Sequence, residues 1–149
     1  RERALRRGAG AVVDLADGDV DELERRMRTA AEGEVDLVLD PVCGEASTAA
    51  LRVLAENGRL VNLGSAGGPT ASFDSAKLRS GSHSILGYTN ATLSSERRAE
   101  ALTRVLELAA AGRCDVDAEP FAFADVAAAW ERAGQSPDGR VVVLPGDGG

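Results

Sequence analysis

Short apolar runs alternate along the chain with longer stretches in which apolar residues recur every three or four positions. The short runs are typical of buried strands, and the longer periodic stretches are typical of amphipathic helices. This alternation predicts an α/β fold built on a parallel sheet. The predicted strands are residues 11–15, 37–39, 60–63, 84–88 and 140–144, with a further extended segment at residues 115–123.

Capping residues and glycines mark the boundaries of the predicted helices. Asp19 and Glu22 have the spacing of a capping box, and the helix that begins there places Leu23 and Met27 on one face before it ends at Gly33. The predicted helix at residues 45–57 lies between the predicted strands 37–39 and 60–63, and a parallel sheet requires such a crossover helix. The other predicted helices are residues 1–7, 45–57, 74–79, 95–111 and 125–133.

Two of the predicted strands end in loops of small residues, which form the candidate binding surface. The Asp40 loop, residues 40–44, reads Asp-Pro-Val-Cys-Gly, and the Gly64 loop, residues 64–68, reads Gly-Ser-Ala-Gly-Gly. Ligands of open α/β sheets bind beyond the carboxyl ends of parallel strands, where small residues let the backbone approach them closely. The uninterrupted apolar run at residues 37–39 also predicts a strand that is buried on both faces.

The phosphate-cradling Gly-x-Gly-x-x-Gly turn of a dinucleotide-binding fold does not occur in the 149 residues. Either the chain lacks this turn or the turn lies before residue 1. Residues 1–7 form a predicted helix that has no start signal in front of it. We therefore expect the chain to be a fragment.

Composition and charge exclude several classes of function. The chain has 44% hydrophobic residues and a net charge of −7, which suits a globular domain and disfavours the binding of nucleic-acid phosphates. No apolar run approaches the roughly 20 residues that span a bilayer, and no signal peptide opens the chain, so we expect no membrane and a cytoplasmic location. Cys43 and Cys114 form no Cys-x-x-Cys pair and His83 is the only histidine, so we predict no metal site and name no catalytic residue.

The order and spacing of several short motifs resemble the carboxyl half of the medium-chain dehydrogenase/reductase superfamily, most closely its zinc-free, NADPH-dependent quinone oxidoreductase branch. The resemblance implies that residues 1–112 are a partial dinucleotide-binding Rossmann domain whose first strands lie upstream. Residues 113–149 would be the C-terminal return segment of the catalytic domain. Residues 140–144 would lack their partners from the absent part of that domain, and the 149 residues alone would be inactive. The motifs are residues 8–14, 36–44, 58–64, 86–89, 120–125 and 139–145.

The resemblance also implies a cofactor and a substrate class. In enzymes of this branch a hydride passes from NADPH to a quinone or to an activated alkene or carbonyl, and the cofactor carries the reactive hydride. Arg1 lies near the place where these enzymes put a cation on the adenosine 2′-phosphate. Cys43 stands where the family pattern commonly has a glycine, which puts a close backbone approach there in doubt. The residues expected to contact the cofactor are Asp40, Pro41, Val42, Gly64, Ser65, Ala66, Tyr88, Thr89 and Arg1.

Two other interpretations are open at this point. The Asp40 loop also resembles the Asp-Pro-x-Cys-Gly-x-Gly loop of methyltransferases that bind S-adenosylmethionine, although Ala46 replaces the second glycine and Gly64-Ser65 replaces the acidic residue that would bind the ribose. Alternatively, the chain is a non-catalytic truncated product or a domain that acts only with a separate N-terminal half. The resemblance is compatible with such an association and with a homodimer.

Overall fold

The computed structural model describes residues 1–16, 18–135 and 139–146, which form two compact units, Arg1–Thr92 and Leu93–Gly149. Each unit contains a parallel β-sheet, so the predicted α/β fold is confirmed. The helices are α1 (Glu2–Arg6), α2 (Val20–Ala30), α3 (Gly44–Arg52), α4 (Ser75–Ser80), α5 (Ser95–Ala110) and α6 (Val126–Gly134). The strands are β1 (Val35–Asp40), β2 (Leu54–Asn62), β3 (Ser84–Gly87), β4 (Ala118–Ala122) and β5 (Arg140–Leu144).

The first unit is built on three parallel strands in the order β1-β2-β3. Asp40 pairs with Asn62 and Asn62 pairs with Gly87, so the carboxyl ends of all three strands lie at one edge of the sheet. Helix α3 makes the crossover from β1 to β2, as predicted. The core beneath the sheet is formed by Ala50, Leu51, Leu54 and Leu60, with Met27, Val35 and Val38 packed against it.

Local sequence signals set the ends of α2. The Asp19 carboxylate accepts a hydrogen bond of 2.9 Å from the Glu22 amide, so the predicted N-cap is confirmed. The Glu22 carboxylate binds the Arg26 guanidinium at 2.7 Å. Leu23 is buried and Met27 packs on the core, while Gly33 ends the segment with a φ of 145° that favours glycine.

Two strand predictions were wrong. Residues 11–15 form no strand, because a strand needs a neighbour to complete its backbone ladder and no other described segment pairs with this one. Strand β1 is not buried on both faces, since Leu37 is 48% exposed and Leu39 is 62% exposed. Its other face carries Val38, which packs on the core, so among the described residues only one face of β1 is covered.

The predicted helix at residues 45–57 ends earlier, at Arg52. The Val53 carbonyl accepts a hydrogen bond of 2.9 Å from the Val35 amide, which commits the chain to the sheet instead of a further helical turn. The pairing then shifts from Leu54 opposite Val35 to Arg59 opposite Leu37. The extra residues between these two pairs form an irregularity at the start of β2.

The second unit contains α5 and a β4-α6-β5 unit. The Ser94 side chain caps α5 by accepting a hydrogen bond from the Arg97 amide at 3.3 Å, in agreement with the predicted start. Strand β5 pairs in parallel with β4, with Arg140 opposite Ala118. The extended segment before α6 supplies this partner, whereas the expectation that residues 140–144 lack further partners from the absent part of the catalytic domain stays a prediction.

Contacts within the chain separate the two units at residues 92 and 93, whereas the motif resemblance places a domain boundary after residue 112. The domain limits of 1–112 and 113–149 stay a prediction. Within residues 1–16, 18–135 and 139–146, no helix combines the length and the apolar character needed to cross a membrane.

Candidate functional site

The Asp40 loop and the Gly64 loop lie against each other at the carboxyl edge of the first sheet. The Gly67 amide donates a hydrogen bond of 2.7 Å to the Val42 carbonyl, and the Ala66 amide donates one of 3.3 Å to the Pro41 carbonyl. The Leu63 amide donates to the Asp40 carbonyl at 2.7 Å. The structure therefore joins the two loops through their backbones.

Glycines make this close approach sterically feasible. A Cβ atom at position 64 would lie 2.8 Å from the Pro41 carbonyl oxygen, and one at position 67 would lie 2.7 Å from Val42 Cγ1. Gly44 has a φ of 68°, and a Cβ there would lie 2.9 Å from the Gly67 carbonyl oxygen. Side chains at these positions would push the loops apart.

Asp40 is buried, and its carboxylate is the acceptor around which the Asp40 loop folds. Its Oδ1 accepts hydrogen bonds from the amides of Val42 and Cys43 at 3.0 and 2.8 Å. Its Oδ2 accepts from the Ser47 hydroxyl at 2.6 Å and from the side-chain amide of Asn62 at 2.9 Å. Burial raises the pKa of Asp40, but these hydrogen bonds to the ionised form outweigh it and hold the pKa below its ordinary value.

Asn62 is a site residue that the sequence analysis missed. Its Nδ2 donates to Asp40 Oδ2 at 2.9 Å and to the Gly64 carbonyl at 2.8 Å. The main-chain carbonyl of Asn62 accepts a hydrogen bond of 3.0 Å from the main-chain amide of Tyr88. The available signal was an amide side chain within the predicted apolar strand at residues 60–63, two positions before the Gly64 loop.

Cys43 occupies a backbone conformation that glycine normally adopts. Its φ of 59° and ψ of −159° fall in a region that is strained for a residue with a Cβ atom. The cysteine thus holds a conformation that glycine adopts without strain, at a cost in backbone energy. Its side chain is half-buried.

Several predicted contact residues lie at the surface of this edge. Pro41, Ser65 and Ala66 are exposed, whereas Val42 is half-buried. Tyr88 follows β3, and its side chain is 51% exposed. Thr89 is next along the chain, and its hydroxyl accepts a hydrogen bond of 3.2 Å from the Ala91 amide.

Arg1 lies in a different place from the other predicted contact residues. It lines a cleft of about 570 Å³ together with Arg25 and Arg26, beside the segment that precedes α2. The Arg26 guanidinium in this cleft is already bonded to the carbonyls of Asp14 and Ala16. A separate cleft of about 640 Å³ borders the two loops, and Arg1 does not line it.

Among residues 1–16, 18–135 and 139–146, no group of three or more His, Cys, Asp or Glu side chains is placed to hold a metal ion. Cys43 and Cys114 are free thiols. The residues that the structure describes thus do not fit a zinc centre.

The motif order, the parallel sheet and the paired loops agree with a comparison of protein families. The zinc-binding dehydrogenase family matches residues 7–143, which is most of the chain. The chain belongs to this family. The family is part of the medium-chain dehydrogenase/reductase superfamily that the motifs resemble. No curated protein matches the sequence significantly.

Solved structures share the fold at low sequence identity. A mycobacterial quinone oxidoreductase has a TM-score of 0.76 and 24% identity over 93% of this chain and 44% of its own. The crotonyl-CoA carboxylase/reductase AntE in complex with NADP has a TM-score of 0.76 and 20% identity over 96% of this chain and 40% of its own. Mycobacterial Rv1454c complexed with NADPH has a TM-score of 0.68 and 22% identity over 90% of this chain and 42% of its own. The chain spans less than half the length of each.

Proposed function

We propose that residues 1–112 carry the nicotinamide side of an NADPH site in a cytoplasmic oxidoreductase that transfers hydride to a quinone or to an activated alkene or carbonyl. The observation that carries the proposal is the pairing of the Asp40 and Gly64 loops at the carboxyl edge of three parallel strands. Family membership and the neighbours solved with NADP and NADPH support the choice of cofactor. Residues 113–149 then belong to the catalytic domain.

The charges at this edge favour the neutral part of the cofactor. A helix N-terminus binds phosphate through free backbone amides. At the start of α3, the Asp40 carboxylate already accepts hydrogen bonds from the Val42 and Cys43 amides, and it brings a negative charge of its own. A phosphate would be repelled there, whereas the uncharged reduced nicotinamide and its ribose would not. S-adenosylmethionine would lack the acidic ribose partner, because Gly64 and Ser65 stand where that residue is required.

The two loops would hold and orient the cofactor, which supplies the hydride when bound. Small side chains at positions 64–68 leave the backbone open to a flat ring, and the exposed Ser65 hydroxyl is able to donate or accept a hydrogen bond. Tyr88 and Thr89 border the same edge at the end of β3. No acid or base is assigned in this chain, because positioning of the hydride donor is the role its residues support.

The cofactor proposal is tested by titrating the isotopically labelled chain with NADPH and with reduced nicotinamide mononucleotide. We expect shifts of the backbone amide signals of Ser65, Ala66 and Gly67 with either ligand, and a Kd of about 1 mM for the chain alone. Ser65→Ala should weaken binding, while Ser84→Ala at the opposite edge of the sheet should leave it unchanged. An absence of shifts in both loops would sink the proposal, as would equal or stronger shifts with S-adenosylmethionine.

The ability of the chain to position NADPH for hydride transfer is tested in a chimera. Residues 7–143 replace the matching segment of the mycobacterial quinone oxidoreductase, and the consumption of NADPH is followed with a benzoquinone or an enone as acceptor. We expect consumption that depends on the acceptor. A folded chimera that binds NADPH but reduces neither acceptor would favour the non-catalytic interpretation.

A further inference from the structure

We propose that Asn62 is a positioning residue that clamps the Gly64 loop to the Asp40 loop. Its consequence for NADPH rests on the proposed function, but the clamp itself does not. Neither the family motifs nor the loop pattern singled out this residue. It lies at the last position of β2, between the two neighbouring strand ends.

The geometry assigns both hydrogens of the Asn62 amide. Nδ2 lies 2.9 Å from Asp40 Oδ2 in one loop and 2.8 Å from the Gly64 carbonyl oxygen in the other. A third acceptor, the main-chain carbonyl oxygen of Asp40, is more distant at 3.4 Å. A primary amide nitrogen has two N–H donors, so one atom serves both loops at once. The main-chain carbonyl of Asn62 accepts a hydrogen bond of 3.0 Å from the main-chain amide of Tyr88. This bond holds the end of the strand that carries the Asn62 side chain.

The sheet does not need this side chain. Strand β2 pairs with β1 and β3 through backbone groups, and the Leu63 amide bonds to the Asp40 carbonyl at 2.7 Å. An apolar residue at position 62 would keep these backbone bonds. Such a residue would leave the Gly64 carbonyl without the Asn62 donor, and the Asp40 carboxylate would accept one hydrogen bond fewer. The loss therefore affects the two loops and not the sheet.

Side chains with different numbers of donors at position 62 test the clamp. Asparagine provides two N–H donors, Asn62→Thr provides one O–H donor, and Asn62→Leu provides none at a similar size. Hydrogen exchange of the Ala66 and Gly67 amides reports the loop contact, because these amides bond to the Pro41 and Val42 carbonyls. Exchange of the Leu60 amide reports the sheet.

We expect the protection of the Ala66 and Gly67 amides to fall by about tenfold in Asn62→Leu, the factor expected for one or two lost hydrogen bonds, and by less in Asn62→Thr. The protection of Leu60 should stay within about twofold of the unsubstituted chain. If Asn62→Leu does not fold, the Asn62→Thr variant decides. Unchanged loop protection would overturn the proposal, and so would an equal loss at Leu60.

Asn62→Asp gives a readout that a purely structural role would not move. The substitution places a second carboxyl group beside that of Asp40. Within the described part of the chain, Asp40 is the one titratable residue whose side chain the Asn62 amide contacts. Loop protection should be lost at neutral pH and partly recovered on acidification, when a shared proton restores one donor. Asn57→Asp is the matched control, because it makes the same change at an exposed position of the same strand. It should leave loop protection unchanged at every pH.

NADPH titration of the same variants separates the two proposals. If Asn62→Leu loosens the loops and weakens NADPH binding, both stand. If it loosens the loops and the NADPH-induced shifts are unaffected, the clamp stands and the cofactor site assigned to the loops is wrong.

Discussion

The Ser47 hydroxyl, inside α3, donates a hydrogen bond of 2.6 Å to the carboxylate of Asp40, at the end of β1. Both side chains are buried, with exposed fractions of 3% and 5%. A buried carboxylate is stable only when hydrogen bonds replace its lost hydration. This bond therefore ties the crossover helix to the strand end from which the Asp40 loop departs.

Ser47→Ala should destabilise the first unit by about 1.5–3 kcal/mol, the range for a hydrogen bond to a charged group whose partner stays buried. Urea unfolding followed by circular dichroism measures the change in the free energy of unfolding. Ser84→Ala, at an exposed position, is the control and should cost under about 0.5 kcal/mol. Equal effects of the two substitutions would show that the Ser47 bond does not stabilise the folded state.

The stability of the chain should depend on pH through Asp40. Burial raises the pKa of this carboxyl group, but its hydrogen bonds together lower the pKa by more than burial raises it. The folded pKa therefore lies below the ordinary value of 3.8. Ionisation then favours folding: the contribution of Asp40 is fully present above the ordinary value and is lost as the pH falls through the folded pKa.

Asp40→Asn isolates this contribution, because the hydrogen bonds of Asp74 and Glu96 also lower the pKa of those groups and affect both proteins alike. We expect the stability difference between the unsubstituted chain and the variant to be largest near neutral pH and to shrink on acidification. Urea unfolding at a series of pH values measures it. A difference that grows as the pH falls would contradict the assignment.

The sequence predicted those parts of the fold that depend on residues close together in the chain. Asp19 caps α2 as expected, and α5 begins at the predicted position, because the signals that start a helix act on amides only a few residues away. The meeting of the Asp40 and Gly64 loops was also predictable, since a helix between two buried strands implies parallel pairing and a shared edge.

The remaining features depend on partners that are distant in the sequence. Residues 11–15 have the composition of a strand, but strand formation requires a neighbour that the pattern cannot supply. The early end of α3 follows from the bond between Val35 and Val53, which lie on different elements. Asn62 was missed because its role arises only when Asp40 is placed opposite it in the sheet.

Gly67→Ala should separate the two loops. The added Cβ would lie 2.7 Å from Val42 Cγ1, closer than real contacts allow, and Gly67 donates the shorter of the two loop-to-loop bonds. We expect a loss of about 1–3 kcal/mol in the free energy of unfolding, typical of overpacking. Val42→Ala should restore part of this loss in the double variant, which a double-mutant cycle measures. Gly10→Ala is the control, since a Cβ there would meet no atom within 4 Å.

Cys43→Gly should stabilise the chain. The φ of 59° and ψ of −159° at Cys43 lie in a region that costs a residue with a Cβ about 1–3 kcal/mol. Glycine removes this strain but adds about 0.5–1 kcal/mol of chain entropy to the unfolded state, so a net gain of about 1 kcal/mol is expected. Urea unfolding measures the gain.

Cys43→Ala distinguishes backbone strain from an effect of the thiol. Alanine keeps the Cβ atom and therefore keeps the strain, so it should not reproduce the gain in stability. The amide signals of residues 40–44 should keep their positions in Cys43→Gly, because glycine adopts the same backbone conformation without strain. A stabilisation of the same size in both variants would show that the sulfur, and not the backbone at position 43, limits stability.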